Sequence, residues 1–280
     1  MLDKSNAMRT AIPTPSDHWI VTPRGRLFAR RWQPSASADG HAPIVLLHDS
    51  LGSIQLWRSF PAALAAGTGR SVIAYDRLGF GQSDPRTGDI GTGFIDEEAA
   101  AFFPLVLRHF GLEHFIAMGH SVGGGMAVHC AARHADACQA LITESAQAFV
   151  EERTRTGILE AKASFQQEQS FARLRQYHGD KARWVLDAWT ETWLSPTFAA
   201  WSLNNVLPLV RCPTLVLHGG DDEYGSSQQP ERIAGLAGGP AQLTIMPGVR
   251  HVPHREREGA VVDRIATFLA SAVPPLRTPT

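Results

Sequence analysis

A chain of 280 residues, 44% hydrophobic and 19% charged, carries enough apolar material for one sizeable core, and α/β folds of this length are commonly a single unit. Its 26 Lys and Arg against 27 Asp and Glu leave a formal charge of −1, which excludes the basic footprint that a phosphate backbone or an anionic membrane surface requires. No stretch approaches the ~18 apolar residues of a spanning helix. Nucleic acid and membrane are therefore set aside as partners; a small molecule is expected, and oligomeric state is not legible.

Residues 1–16 mix charges, prolines and small polar side chains without an apolar leader run, and read as a flexible N-terminal segment. Cys130, Cys138 and Cys212 lie far apart with no CxxC spacing, which predicts a reducing, cytoplasmic setting. His18 to Val21 and Leu27 to Trp32, joined through Pro23-Arg24-Gly25, predict an antiparallel hairpin. Short unbroken apolar runs follow: Ile44 to Leu47, Val72 to Tyr75, Phe115 to Met118, Leu141 to Thr143, Leu215 to Leu217 and Leu243 to Met246. Runs of that kind read as strands buried on both faces, hence a mostly parallel sheet. Helical patterns lie between them, near Trp57 to Ala66, Asp96 to Phe110, Val122 to Ala135, Pro230 to Ala237 and Ala260 to Ala270. Alternating strand and helix predicts an α/β fold with its sheet flanked by helices.

Residues 149–207 break this rhythm. They hold no buried-strand run and are rich in Glu, Gln, Arg, Ala and Trp at helical spacing, which predicts a helical insertion between core segments 17–148 and 208–280. Trp184, Val185, Ala188, Trp189 and Trp193 give it a broad apolar face. Such a face packs an insertion onto a core, or roofs a site from which water must be excluded.

The strongest chemical signal is Gly119-His120-Ser121-Val122-Gly123-Gly124, placed between the strand at Phe115 and a small-residue helix. A serine hydroxyl is a poor nucleophile unless held exposed beside a base, and a tight strand-to-helix turn does the exposing. Carboxylates come next, in His218-Gly219-Gly220-Asp221-Asp222-Glu223 after the strand at Leu215, and a histidine last, in Pro247-Gly248-Val249-Arg250-His251. Open α/β sheets place their sites at these carboxyl ends. Ser121, Asp222 and His251 are accordingly the candidate nucleophile, acid and base, with Asp221 and Glu144 as rivals for the acid and His254 for the base.

The chain resembles the α/β-hydrolase family, in particular its small, helically capped serine hydrolases. The resemblance runs from His18 to Ala270 and rests on Leu47-His48 with its small-residue loop, Asp76-Arg77-Leu78-Gly79-Phe80-Gly81-Gln82-Ser83, the Gly119 to Gly123 turn, the His218 to Asp222 loop and Gly248 to His254. It implies oxyanion donors at the backbone NH groups of Val122 and Ser50, and again Asp222 as the acid. One departure stands out: the family usually reads His-Gly where this chain has His48-Asp49, so the Asp49 carboxylate is expected to point away from the oxyanion. The Asp76 to Ser83 turn reads as structural support. His48, Trp57, His120, Phe149, Trp184 and Trp189 are the candidate pocket residues, with a hydrogen-bonded scaffold role competing for the two histidines.

These residues predict acyl transfer from a small carboxylic ester to water, with activity falling as pH drops through the base's pKa, about 6.5 if unperturbed. The same set serves hydrolysis of carbon–carbon bonds in aromatic ring-cleavage products, for which Arg77, Arg153 or Arg155 would have to clamp a carboxylate. A third reading is a small-ligand binding protein that has kept the fold. No cofactor is called for, and no metal site is expected, since His251-Val252-Pro253-His254 lacks further ligands.

Overall fold

The computed structural model describes residues 13, 15–34 and 40–273. Most of the N-terminal segment 1–16 lies outside the described residues. The first two strands, β1 (Pro15–Thr22) and β2 (Gly25–Trp32), form the antiparallel hairpin, with Pro23 and Arg24 at its turn. Six further strands follow: β3 (Ile44–Leu47), β4 (Val72–Tyr75), β5 (Phe115–His120), β6 (Cys138–Glu144), β7 (Thr214–Gly219) and β8 (Ala241–Met246). The sheet order is β1-β2-β4-β3-β5-β6-β7-β8, antiparallel from β1 through β4 and parallel from there on.

Alternation within the buried strands divides the core into two layers. Val45, Leu47, Ile73, Tyr75, Phe115 and Ala117 face one side, and Ile44, Leu46, Val72, Ala74, Ile116 and Met118 the other. The first side is covered by α2 (Phe94–Glu97), α3 (Phe103–Phe110) and α4 (Val122–Arg133). The second is covered by α1 (Phe60–Thr68) and the C-terminal α10 (Glu258–Ala272). Between β6 and β7 the chain forms α5 (Glu152–Ser164), α6 (Glu168–His178) and α7 (Ala182–Leu194); α8 (Gln228–Leu236) and the short α9 (Pro253–Glu256) complete the set. None of the described helices is long and apolar enough to cross a membrane.

Three local departures from the sequence reading have physical causes. Trp57 belongs to a separate 3-10 turn, Ile54–Trp57, because Arg58 turns to positive φ and α1 starts afresh with Pro61 in its first turn. The helix expected over 96–110 contains a π turn at Glu98–Phe102, just before Pro104, whose missing NH cannot continue the regular ladder. Finally, β8 is not buried on both faces. It is an edge strand, incompletely covered, and Leu243 and Ile245 are exposed.

Candidate active site

The parallel strands deliver their C-terminal loops to one rim. Ser121 directly follows β5, Asp222 lies just beyond β7, and His251 follows β8 by one loop. The turn at Ser121 is tight enough to hold that residue at φ 56°, ψ −126°, a strained conformation for a residue with a β-carbon. Two glycines make the turn possible: a β-carbon at 119 would collide with the carbonyl of Gly123, and one at 123 with the carbonyl of Leu47. Helix α4 therefore begins immediately after the serine and its first NH, that of Val122, has no acceptor within the helix.

These loops bring three side chains into a hydrogen-bonded line. Ser121 Oγ lies 3.1 Å from His251 Nε2, and His251 Nδ1 lies 2.9 and 2.8 Å from the two carboxylate oxygens of Asp222. A carboxylate only accepts, so Nδ1 carries the proton and Nε2 is left to accept from the serine. Asp222 Oδ1 also accepts from the NH groups of Tyr224, at 2.7 Å, and Gly225, at 3.1 Å. Burial favours the neutral acid, but the hydrogen bond and charge of His251, the field of His218 and the Tyr224 NH together hold Asp222 below the usual carboxylate range. The rivals are engaged elsewhere. His254 Nδ1 is 2.5 Å from Glu144 Oε2 in a buried pair, and Asp221 is exposed.

Ser121 and His251 open onto a cavity of about 330 Å³. Its floor includes Asp49 and Ser50 from the loop after β3; its walls include Leu51, Leu56, Ile158, Trp189 and Trp193. No described residue accepts from the Ser50 NH. Of the residues expected to line a pocket, Trp189 does so, its ring tilted toward that of Tyr224 with centroids 6.1 Å apart. The other five do not line this cavity, each for a packing reason. His48 is spent on the scaffold, bonded to the Asp49 carbonyl and the Arg77 NH. Trp57 packs between Phe60 and His254 in the core under α1. His120, on the last position of β5, points behind the site to the His251 carbonyl. Phe149 forms a bridge with Ser202 and lies under Arg232. Trp184 turns to the Gly88 carbonyl and to Phe80.

Asp49 lines the cavity, but its carboxylate is engaged by its own loop and by His120: Oδ1 accepts from Leu51 NH at 3.1 Å and Oδ2 lies 3.4 Å from His120 Nδ1. The three arginines considered as a clamp do not line the cavity either. Arg77 is buried and donates to the Asp49 carbonyl, Arg153 donates to the Asp222 carbonyl, and Arg155 to that of Leu194. Sequence reasoning missed Gln147, Thr154, Tyr224 and Arg255, all of which line the cavity. Signals existed for two of them: Gln147 follows the carboxyl end of β6, and Tyr224 sits two residues after Asp222.

Asp76 supports this rim as expected of its turn. Its buried oxygens accept from the NH groups of Ile54, at 2.6 Å, and Gln82, at 2.7 Å, so the loops after β3 and β4 share one carboxylate. Burial pushes its pKa up to about 6, against those two NH groups and the charge of Lys181.

With that geometry in view, comparison with known proteins identifies the class. The sequence model of the alpha/beta hydrolase fold matches residues 42–258, and the chain belongs to that family. It is 26% identical over 212 residues to a non-heme haloperoxidase of Rhodococcus erythropolis, spanning 65% of this chain and 76% of that one. Among solved structures it resembles a proline iminopeptidase of Mycobacterium smegmatis with a TM-score of 0.70 at 20% identity, covering 92% of this chain and 98% of that one. It also resembles the enol-lactonase of Burkholderia xenovorans LB400, with a TM-score of 0.69 at 20% identity, covering 91% of this chain and all of that one, 100%.

Proposed function

We propose that the protein is a serine hydrolase of small carboxylic esters, working through an acyl-enzyme. The observation that carries this reading is the line from Asp222 through His251 to Ser121, with the serine opening onto a cavity that has Leu51, Leu56, Ile158, Trp189 and Trp193 among its lining. In the proposed reaction Ser121 Oγ attacks the ester carbonyl while His251 Nε2 takes its proton. Asp222 stabilises the imidazolium, and the NH groups of Val122 and Ser50 receive the negative charge on the carbonyl oxygen. His251 then returns the proton to the departing alcohol. Water, activated by the same imidazole, releases the acid and restores Ser121.

The apolar wall supplied by Ile158, Trp189 and Trp193 suits a compact, partly apolar substrate, and water kept away from it strengthens the electrostatic contacts at the carbonyl. We read α5–α7, which carry these residues, as a cap over the site. The enol-lactonase named above offers a parallel, since a lactone is an internal ester. Carbon–carbon cleavage has less support, because none of Arg77, Arg153 and Arg155 faces the cavity, and Arg255, which lines it, is held by two hydrogen bonds to the Leu56 carbonyl. Covalent labelling by a fluorophosphonate, together with steady turnover of p-nitrophenyl acetate, tests the reading. Both are expected in the wild type and neither in Ser121→Ala. Saturable ligand binding without turnover would replace the enzyme reading with that of a binding protein.

A further inference from the structure

Behind the serine lies a second polar line that the reaction above does not use. His120 is buried, and both of its ring nitrogens face acceptors. Nε2 is 2.8 Å from the carbonyl oxygen of His251, which can only accept, so this nitrogen carries a hydrogen. Nδ1 is 3.4 Å from Asp49 Oδ2. A neutral imidazole has one N–H and would turn a lone pair on the carboxylate; the imidazolium serves both acceptors. The other ionisable groups around it are Glu144 on β6, whose field adds to that of Asp49, and the rings of His251 and His254, centred 5.1 and 5.0 Å away. Asp49 is in turn faced by His48 and Arg255.

We infer that Asp49 and His120 form an ion pair that fixes the loop bearing His251 against the loop bearing Ser50, and that cancels a negative charge beside the proposed oxyanion position. Both are positioning residues, and the inference rests on the ester-hydrolase reading. The pair joins three elements: the loop after β3 through Asp49, the end of β5 through His120, and the loop after β8 through the His251 carbonyl. An aspartate next to an oxyanion donor would by itself oppose charge developing there, and a cation in contact with it removes that opposition. Burial works against the charged imidazole, but the neighbouring Asp49 carboxylate, the field of Glu144 and the His251 carbonyl more than offset it and hold His120 above the usual histidine range. Asp49 is held well below the carboxylate range against its own burial, by His120 first and then by His48 and Arg255.

A double-mutant cycle on the full-length protein tests this, with p-nitrophenyl acetate as substrate. His120→Gln keeps a donor but removes the cation nearest Asp49, leaving only the more distant Arg255, and is expected to lower kcat roughly tenfold at pH 7.5 with KM little changed. Adding Asp49→Asn is expected to restore most of that loss. In the wild type kcat should fall again at alkaline pH as His120 deprotonates, and this limb should be missing from the double variant. Nitrogen NMR of histidine-labelled wild type is expected to find both ring nitrogens of His120 protonated at pH 7.5. Losses that simply multiply in the double variant, or a neutral His120 at that pH, overturn the inference. The NMR signal is read whether or not any ester is hydrolysed, so an inert protein with a charged His120 would overturn the hydrolase reading and leave the ion pair standing.

Discussion

Asp222→Asn is the sharpest single perturbation of the proposed relay, because the surroundings of the carboxylate dictate how the amide must sit. Oδ1 accepts two backbone NH groups, from Tyr224 and Gly225, and an asparagine keeps them only by leaving its oxygen there. Its NH2 then takes the place of Oδ2, 2.8 Å from His251 Nδ1, a donor facing a former donor, which favours the tautomer with its hydrogen on Nε2 over one that donates to Oδ1 alone. Nε2 can no longer accept from Ser121 Oγ, 3.1 Å away. A base locked in the wrong tautomer costs on the order of 10⁴ in kcat, about 5.5 kcal/mol of transition-state stabilisation. The fold should barely notice, since the two loop hydrogen bonds survive. The loss of one charged hydrogen bond, about 1–2 kcal/mol, corresponds to a Tm decrease of a few degrees in a chain of this size. The assay is kcat on p-nitrophenyl acetate at pH 7.5 beside a thermal melt. A loss smaller than about tenfold in a protein that still melts cooperatively would refute the tautomer argument.

Ser121→Gly is expected to melt about 2–4 °C above Ser121→Ala, because both lose the hydroxyl but only glycine relieves the strain at φ 56°; equal melting temperatures would mean that the turn stores no strain. Asp76 gives a pH signature. Its folded pKa of about 6 lies above the unfolded value near 3.8, so its contribution to stability is fully present below pH 4 and is lost as pH rises through 6. The Tm difference between wild type and Asp76→Asn should therefore shrink from pH 4 to pH 7, and a difference that grows over that range contradicts the assignment. Trp189→Ala, which removes part of the cavity wall, is expected to raise KM for acetyl esters several-fold and to shift preference toward longer acyl chains. Trp184→Ala should leave that preference unchanged, since its ring packs on Phe80 instead, and a matching shift in both variants would count against the placement of the wall.

What the sequence made legible was what local pattern governs. Ile44–Leu47 and Val72–Tyr75 stand as strands with the limits read from their apolar runs, because a strand buried on both faces advertises itself without reference to anything distant. The meeting of Ser121, Asp222 and His251 could be anticipated for a related reason: each follows a strand, and a parallel sheet sends all such positions to one rim. Of the cavity lining little beyond Trp189 was legible. Whether a tryptophan faces a cavity or a neighbouring helix is set by helix rotation and tertiary packing, and Trp184 and Trp189, adjacent turns of α7, part ways on that account. His48 and His120 were ambiguous because their hydrogen-bond partners, Arg77 NH and the His251 carbonyl, come from remote segments.

The division between a readable sheet rim and an unreadable cavity wall does not mean that the two are mechanically separate. Helix α5 is fastened to the acid loop at successive residues: Arg153 Nη1 donates to the Asp222 carbonyl at 3.0 Å, and Thr154 Oγ1 donates to that of Tyr224 at 2.7 Å. Just before the helix, Glu151 accepts from the NH and hydroxyl of Ser226 and from Gln229 Nε2. The helix that carries Ile158 and Thr154 into the cavity is thus tied to the loop that carries Asp222. On the proposed function, a displacement of that wall by a bulkier acyl group would be felt by the carboxylate hydrogen-bonded to His251. Under the proposed reaction the same few hydrogen bonds would set both substrate size and base orientation, so substitutions in α5 should alter kcat as well as KM.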